Sequence, residues 1–302
     1  MPGRCSMARR FWLGDTMVAY YFLLPAVIGF AIFTAIPLIA SLCISFYDWN
    51  TLSDPKYIGL GNYLKIFTND PIFMTALKNT FWYAVGVVPF SIALGLGAAL
   101  LLNQQIIGIA FWRTIYFMPV MTSTVAISLV WKWLYNPEVG LINVLLREIG
   151  VQEPPTWLTS VTWALPSIII VTIWKTIGYN MVIFLAGLQN IAKDLYEAAE
   201  IDGSGKWNGF WYITLPLLRP TTFFITVISV IHSFQVFGYA LVMTEGGPGV
   251  ATNTLVLYIY QQGFKFFNMG YASAIAWVLF IILLVFTLIQ TYVNHRREAA
   301  NA

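Results

Sequence analysis

The sequence predicts an all-α membrane protein, a bundle of six transmembrane helices, and three observations carry that reading. Of 302 residues, 59% are hydrophobic and only 10% are charged, whereas a soluble domain carries roughly 25% charge. Stretches with at most one internal lysine recur six times, each near the ~20 residues a helix needs to cross the hydrocarbon core. Aromatics such as Tyr20, Tyr21, Tyr47, Trp49, Trp131, Trp133, Tyr135, Trp157, Tyr258 and Tyr260 gather near the ends of these stretches, as an interfacial belt requires.

The first stretch, 17–45, follows Arg9-Arg10 and outruns the apolar region of a signal peptide, so it reads as a retained span. Leu42 is too large to precede a lipidated Cys43. The second is 79–102. The third, 113–135, carries Lys132 near its outer end, where a lysine between Trp131 and Trp133 snorkels to the interface. The fourth, 162–188, holds Lys175 near its middle and reads as one span, because the pieces on either side leave no room for a turn. The fifth is 220–243 and the sixth 271–294, both uncharged inside. Pro25, Pro37, Pro89, Pro119 and Pro166 lie within the runs and predict kinked helices around a cavity.

Charge decides orientation. With the N-terminus cytoplasmic, the inside loops hold Arg4, Arg9, Arg10, Arg113, Lys193, Lys206, Arg219, Arg296 and Arg297, and the outside loops hold Lys56, Lys65, Lys78, Arg147 and Lys265. That excess inside predicts cytoplasmic tails at 1–16 and 295–302. A net charge of +3, scattered along the chain, gives no nucleic-acid surface. Cys5 and Cys43 would have to pair across the bilayer, so no disulfide or metal framework follows.

The longest inside loop, 189–217, carries the most specific pattern. Asp194 and Glu197 form a helix-start signature, 195–202 is helix-compatible, and Gly203 supplies the left-handed residue that ends it. A helix of two turns does not hold its shape alone in water. It needs a partner. Ala198 and Ala199 leave a face small enough for close approach, while Glu197, Glu200 and Asp202 offer carboxylates to basic groups. A second helix from about Lys206 runs through Trp207, Phe210 and Trp211 to Pro216 and the next span. Gly203-Ser204-Gly205-Lys206 imitates a phosphate loop, but Glu200 stands where its first glycine belongs and Trp207 where Ser or Thr belongs.

Glu197-Ala198-Ala199, three residues, Gly203, nine residues, then Ile213 and Leu215-Pro216 resemble the signature of permease subunits of ATP-binding-cassette importers, specifically the maltose-type group. The resemblance extends over 185–189, 245–249 and 270–274. It implies a type I ABC importer permease fold in which this loop is the coupling helix. Glu197 would pair with a basic residue in a groove of the ATPase, and Gly203 would make the turn. The implied partners are a second homologous permease, two cytoplasmic ATPase subunits that hold the ATP and Mg, an extracytoplasmic solute-binding protein, a sugar and the surrounding membrane lipid. No cofactor, metal or catalytic residue is expected on this chain. The implied location is the cell membrane of a prokaryote. Gly205-Lys206 departs from the group's usual residues and leaves the start of the second helix open.

Polar residues inside spans are the candidate solute path, since each costs free energy unless it meets a partner or a wet cavity. The fourth span offers Thr172, Trp174, Lys175, Thr176, Tyr179 and Asn180, and the fifth offers His232, Ser233, Gln235 and Tyr239. The resemblance puts sugar contacts on these two spans, with Trp174 and Tyr179 the nearest in residue type. Lys175 and His232 would also suit a phosphate, which keeps glycerol phosphate or another polyol derivative open as solute. An ion-coupled transporter is the other class considered. Such transporters usually bury carboxylates, and no span here holds one. The sequence lacks the zinc-protease and nucleophile-elbow motifs of membrane enzymes.

Overall fold

The computed structural model describes residues 5–104 and 107–301. Arg4, counted above among the inside charges, lies outside them. The described chain is mostly helix, and four of its helices are long and apolar enough to span a membrane, or six if each of two bent pairs is one span. It divides into two compact units, residues 1–64 with 262–277, and residues 65–261 with 278–302.

In the first unit, α1 (Cys5–Phe30) continues through a π turn at Ala31–Ala35 into α2 (Ile36–Ile44). The π turn has a local cause. Pro37 has no N–H and its ring crowds the carbonyl four residues back. The helix widens just ahead of it, Ile36 N–H donating to Ala31 O. A two-residue ribbon follows, β1 (Tyr47–Asp48) antiparallel to β2 (Lys56–Tyr57), with Tyr47 opposite Tyr57. Asn62, on α3 (Gly61–Thr68), ties the ribbon to α2 by donating from Nδ2 to Ser45 O and Tyr47 O, both at 2.9 Å.

The second unit is organised by two long helices. The first, α4 (Pro71–Leu102), begins eight residues before the expected 79. A search for uncharged runs stops at Lys78, whereas the helix continues past it with the ammonium exposed. Asp70 caps this helix, accepting from Phe73 N–H at 2.9 Å, and its other carboxylate oxygen accepts from Tyr258 Oη at 2.6 Å. The expected single span 113–135 is instead two helices, α5 (Ile109–Met121) and α6 (Thr124–Leu134), bent by 96°. Pro119 lies in the last turn of α5, and Thr122 and Ser123 are extended, which ends the first helix and restarts the second. A short amphipathic α7 (Leu141–Glu148) follows.

The other long helix, α8 (Ala164–Gln189), is continuous through Lys175 and packs along α4. It also presses on α5, and glycine permits this. A Cβ at Gly178 would strike Tyr116 O and Phe117 Cα. Beyond it come α9 (Lys193–Ile201), α10 (Lys206–Gly209), a π turn at Phe210–Thr214 and α11 (Leu215–Leu217). This second π turn repeats the logic of the first, since Leu215 N–H reaches back to Phe210 O immediately before Pro216. The expected span 220–243 is helical only as α12 (Arg219–Phe234). The chain leaves the helix at Gln235, makes a π turn at Ala240–Thr244, and turns out through Glu245 and Gly246, both with positive φ. The remaining elements are α13 (Leu255–Tyr260), a π turn at Gln261–Lys265 and α14 (Met269–Asn301), whose residues up to Trp277 belong to the first unit.

Two hydrophobic clusters fasten α4 to α8. One joins Tyr83 and Val87 to Ile168 and Val171, with Ile127, Val236 and Met243. The other joins Ala98, Ala99 and Leu102 to Met181, Phe184, Leu185 and Leu188, with Leu218 and Ile225. The stretch of α8 between the two clusters, around 172–180, is where polar residues concentrate. On one side of that stretch the apolar packing is interrupted.

Candidate functional site: a polar chamber and an exposed helix

A cavity of about 500 Å³ occupies that gap, walled by α4, α5, α6, α8, α12 and the segment after α12. Of the path residues expected from sequence, Thr172, Lys175, Thr176, Tyr179, Asn180, His232, Ser233, Gln235 and Tyr239 line it. Trp174 is absent from its lining. One residue before Lys175, it points off the chamber and stacks edge-on against Trp131, ring centres 5.5 Å apart. On this turn of α8 the lining is carried by Lys175 and Thr176, while Trp174 lies on the side toward Trp131.

The lining polar groups are held in place from within the chain. Lys175 Nζ donates to Thr124 Oγ1 at 2.9 Å and lies 5.9 Å from the centre of the Tyr239 ring. Tyr83 Oη donates to Thr172 Oγ1 at 2.8 Å, and Thr176 Oγ1 donates to Thr172 O at 2.8 Å. Such local bonds fix the walls. Other side chains stay available: Asn180, 2% exposed, has no acceptor for its Nδ2, and His232 and Gln235 are exposed at the end of α12.

Four polar wall residues lay outside the sequence candidates. Tyr83 and Ser91 come from α4, Thr124 from α6 and Ser229 from α12. The one usable signal was the run Thr122-Ser123-Thr124 after Pro119, a polar patch in an apolar stretch that coincides with the break between α5 and α6. Lys132 reaches Val242 O at 3.5 Å with its side chain exposed.

The second feature is α9, which starts after only three residues beyond α8. Asp194 does not cap it. The N-cap is Ala192, with no side-chain bond, and Asp194 sits in the first turn, where a carboxylate favours the positive helix end. The C-terminus is a full Schellman motif. Gly203 has φ +80°, its N–H donates to Glu200 O at 3.1 Å, and Ser204 N–H donates to Ala199 O at 2.8 Å. Glu197, Ala198 and Asp202 are exposed and Ala199 is half-buried. Leu195, 46% exposed, and Ile201, 87% exposed, add apolar surface beside the carboxylates. Leu215 and Pro216, half-buried, lie in α11 behind it. Tyr196 Oη and Thr214 Oγ1, 2.8 Å apart, join α9 to the π turn ahead of α11.

A polar chamber midway along apolar helices, followed by a short helix with an exposed surface, is an arrangement that suits a membrane permease subunit. Residues 91–299 match the family described as binding-protein-dependent transport system inner membrane component, and the chain belongs to that family. It is 38% identical over 278 residues to the probable ABC transporter permease protein YesP of Bacillus subtilis (strain 168), covering 91% of this chain and 89% of the relative. It is 37% identical over 284 residues to the lactose transport system permease protein LacF of Rhizobium radiobacter, covering 92% and 94%. Among solved structures, a chain of a bacterial alginate ABC transporter in complex with an alginate pentasaccharide-bound periplasmic protein superposes with a TM-score of 0.83 at 27% identity, over 96% of each chain. The fold is therefore that of a type I ABC importer permease, and the protein is an ABC transporter permease.

Proposed function

We propose that this chain, with a second homologous permease, forms the membrane path of an ATP-driven importer of a di- or oligosaccharide. The solute is handed over by an extracytoplasmic binding protein. The observation that carries the reading is the join between α8 and α9. One helix walls the chamber at Lys175, Thr176 and Tyr179, and only three residues past its end the chain presents an exposed, Gly203-terminated docking helix. Movement of a partner against α9 reaches the chamber by that short link. The named relatives support the solute class, one being a lactose permease and the solved neighbour an alginate importer.

On this reading ATP and Mg are held by two cytoplasmic ATPase subunits, and this chain contributes docking rather than hydrolysis. Glu197 and Asp202 offer carboxylates to basic groups of the ATPase, Ala198 and Ala199 allow close approach, and Gly203 with Leu215 and Pro216 sets the direction of the return. The excess of Lys and Arg on the α9 side supports cytoplasmic tails. Tyr179 supplies an aromatic face for a sugar ring, and Thr176, His232, Ser233 and Gln235 hydrogen-bond its hydroxyls.

The test is disaccharide uptake into vesicles carrying the assembled transporter and its binding protein. ATP is supplied and ion gradients are collapsed. Uptake that continues is the expected result. Uptake that follows the gradient and ignores ATP would overturn the proposal.

A further inference from the structure

The chamber contains one residue of fixed charge, Lys175, and none of its lining residues is Asp or Glu. A lysine at mid-span depth is costly unless a counter-charge or water meets it. Its contacts here are neutral, the Thr124 hydroxyl and the Tyr239 ring. An ammonium has three N–H donors, and a single hydroxyl takes one.

The surroundings add positive character instead of cancelling it. Thr124 is the first residue of α6, an 11-residue helix whose N-cap Ser123 makes no side-chain bond. Lys175 is thus hydrogen-bonded to the end of a helix that favours anions. Asn180, 2% exposed on the same wall, keeps an Nδ2 donor with no acceptor. A cation and a positive helix end meet at one chamber, with the orphaned Asn180 donor buried in its wall. The first two are relieved by the same thing, an anionic acceptor.

We infer that the transported solute is an anionic saccharide, carrying a carboxylate, phosphate or sulfonate that accepts from Lys175 Nζ beside the start of α6. This rests on the saccharide-importer reading above. Tyr179 and Gln235 then hold the neutral part of the molecule. A neutral sugar would leave the charge unmatched at the moment the chamber closes.

The experiment reconstitutes the whole transporter, with ATPase subunits and binding protein, in proteoliposomes. ATP-driven uptake of digalacturonate, glucose 6-phosphate and neutral galactobiose is compared for the wild type, Lys175→Met and Lys175→Arg. The wild type is expected to take up an anionic probe in preference to galactobiose, and the better of the two anions identifies the charged group. Lys175→Met should lower that uptake about tenfold or more relative to Lys175→Arg, the loss of a charge-assisted hydrogen bond. Preference for galactobiose, or equal anion uptake by Lys175→Met and the wild type, overturns the anion site and leaves the saccharide importer standing. Loss of the second permease subunit from purified Lys175→Met complex also overturns it, because the lysine would then pair across that interface. Absence of ATP-driven uptake of any saccharide removes both readings.

Discussion

The chamber and α9 are both rich in polar side chains, yet they satisfy them in opposite ways. In the chamber, hydroxyls and the lysine find partners from neighbouring helices, as in the pairs Tyr83 with Thr172 and Lys175 with Thr124. On α9 the carboxylates of Glu197, Glu200 and Asp202 are exposed, and the helix is fixed mainly by its Schellman end and by Tyr196. Hydrocarbon explains the difference. A polar group at membrane depth has no water to fall back on, so the fold must provide for it. A group on an exposed loop is hydrated by default. On the proposed function the chamber is built in advance, and α9 as the docking surface is completed on assembly.

The largest effect should therefore come from the surface that waits for its partner. Reversing charge with Glu197→Lys should weaken ATPase docking about 100-fold or more, the scale of a paired interfacial charge turned against its partner. The spans should still assemble. Unchanged co-purification with the ATPase and unchanged solute-stimulated hydrolysis would remove Glu197 from the interface.

Within the chamber the contrast becomes a matched pair. Gln235→Ala removes an exposed donor and acceptor from the wall and should lower transport about tenfold with docking intact. Trp174→Ala should act differently, because the indole packs on Trp131 outside the lining. It should reduce the yield of folded complex and change transport per folded complex less than about threefold, a loss of packing rather than of solute contact. Equal transport defects per complex in the two variants would put Trp174 back in the path.

Much of this was legible in the sequence, and what was not has identifiable causes. Span existence and the capped two-turn helix rest on local rules, apolar length and the left-handed Gly203, and both appear in the structure. Hydropathy could not show that 113–135 breaks at Thr122, because apolar content is the same on both sides of the bend. It could not stop the fifth helix at Phe234 either, since the segment after it is equally apolar but leaves the helix at Gln235. Rotation about α8 was the other missing quantity. Trp174 and Lys175 are neighbours in sequence, and only packing decides which faces the chamber.

The smallest effect tests the link between the two regions. Tyr196 Oη lies 2.8 Å from Thr214 Oγ1, and either hydroxyl can donate. Tyr196→Phe removes that bond and keeps the ring. A single such bond contributes about 0.5–1.5 kcal/mol, too little to unfold the loop or prevent docking. If α9 drives the chamber through its attachment to the π turn and α11, loosening it should let the ATPase cycle without moving α12 fully. ATP hydrolysed per solute transported should rise about twofold to tenfold, on the scale of that bond, with ATPase affinity within error of the wild type. A ratio that does not move would mean that the stroke reaches the chamber through the three residues joining α9 to α8, and that Tyr196 only holds the shape of the loop.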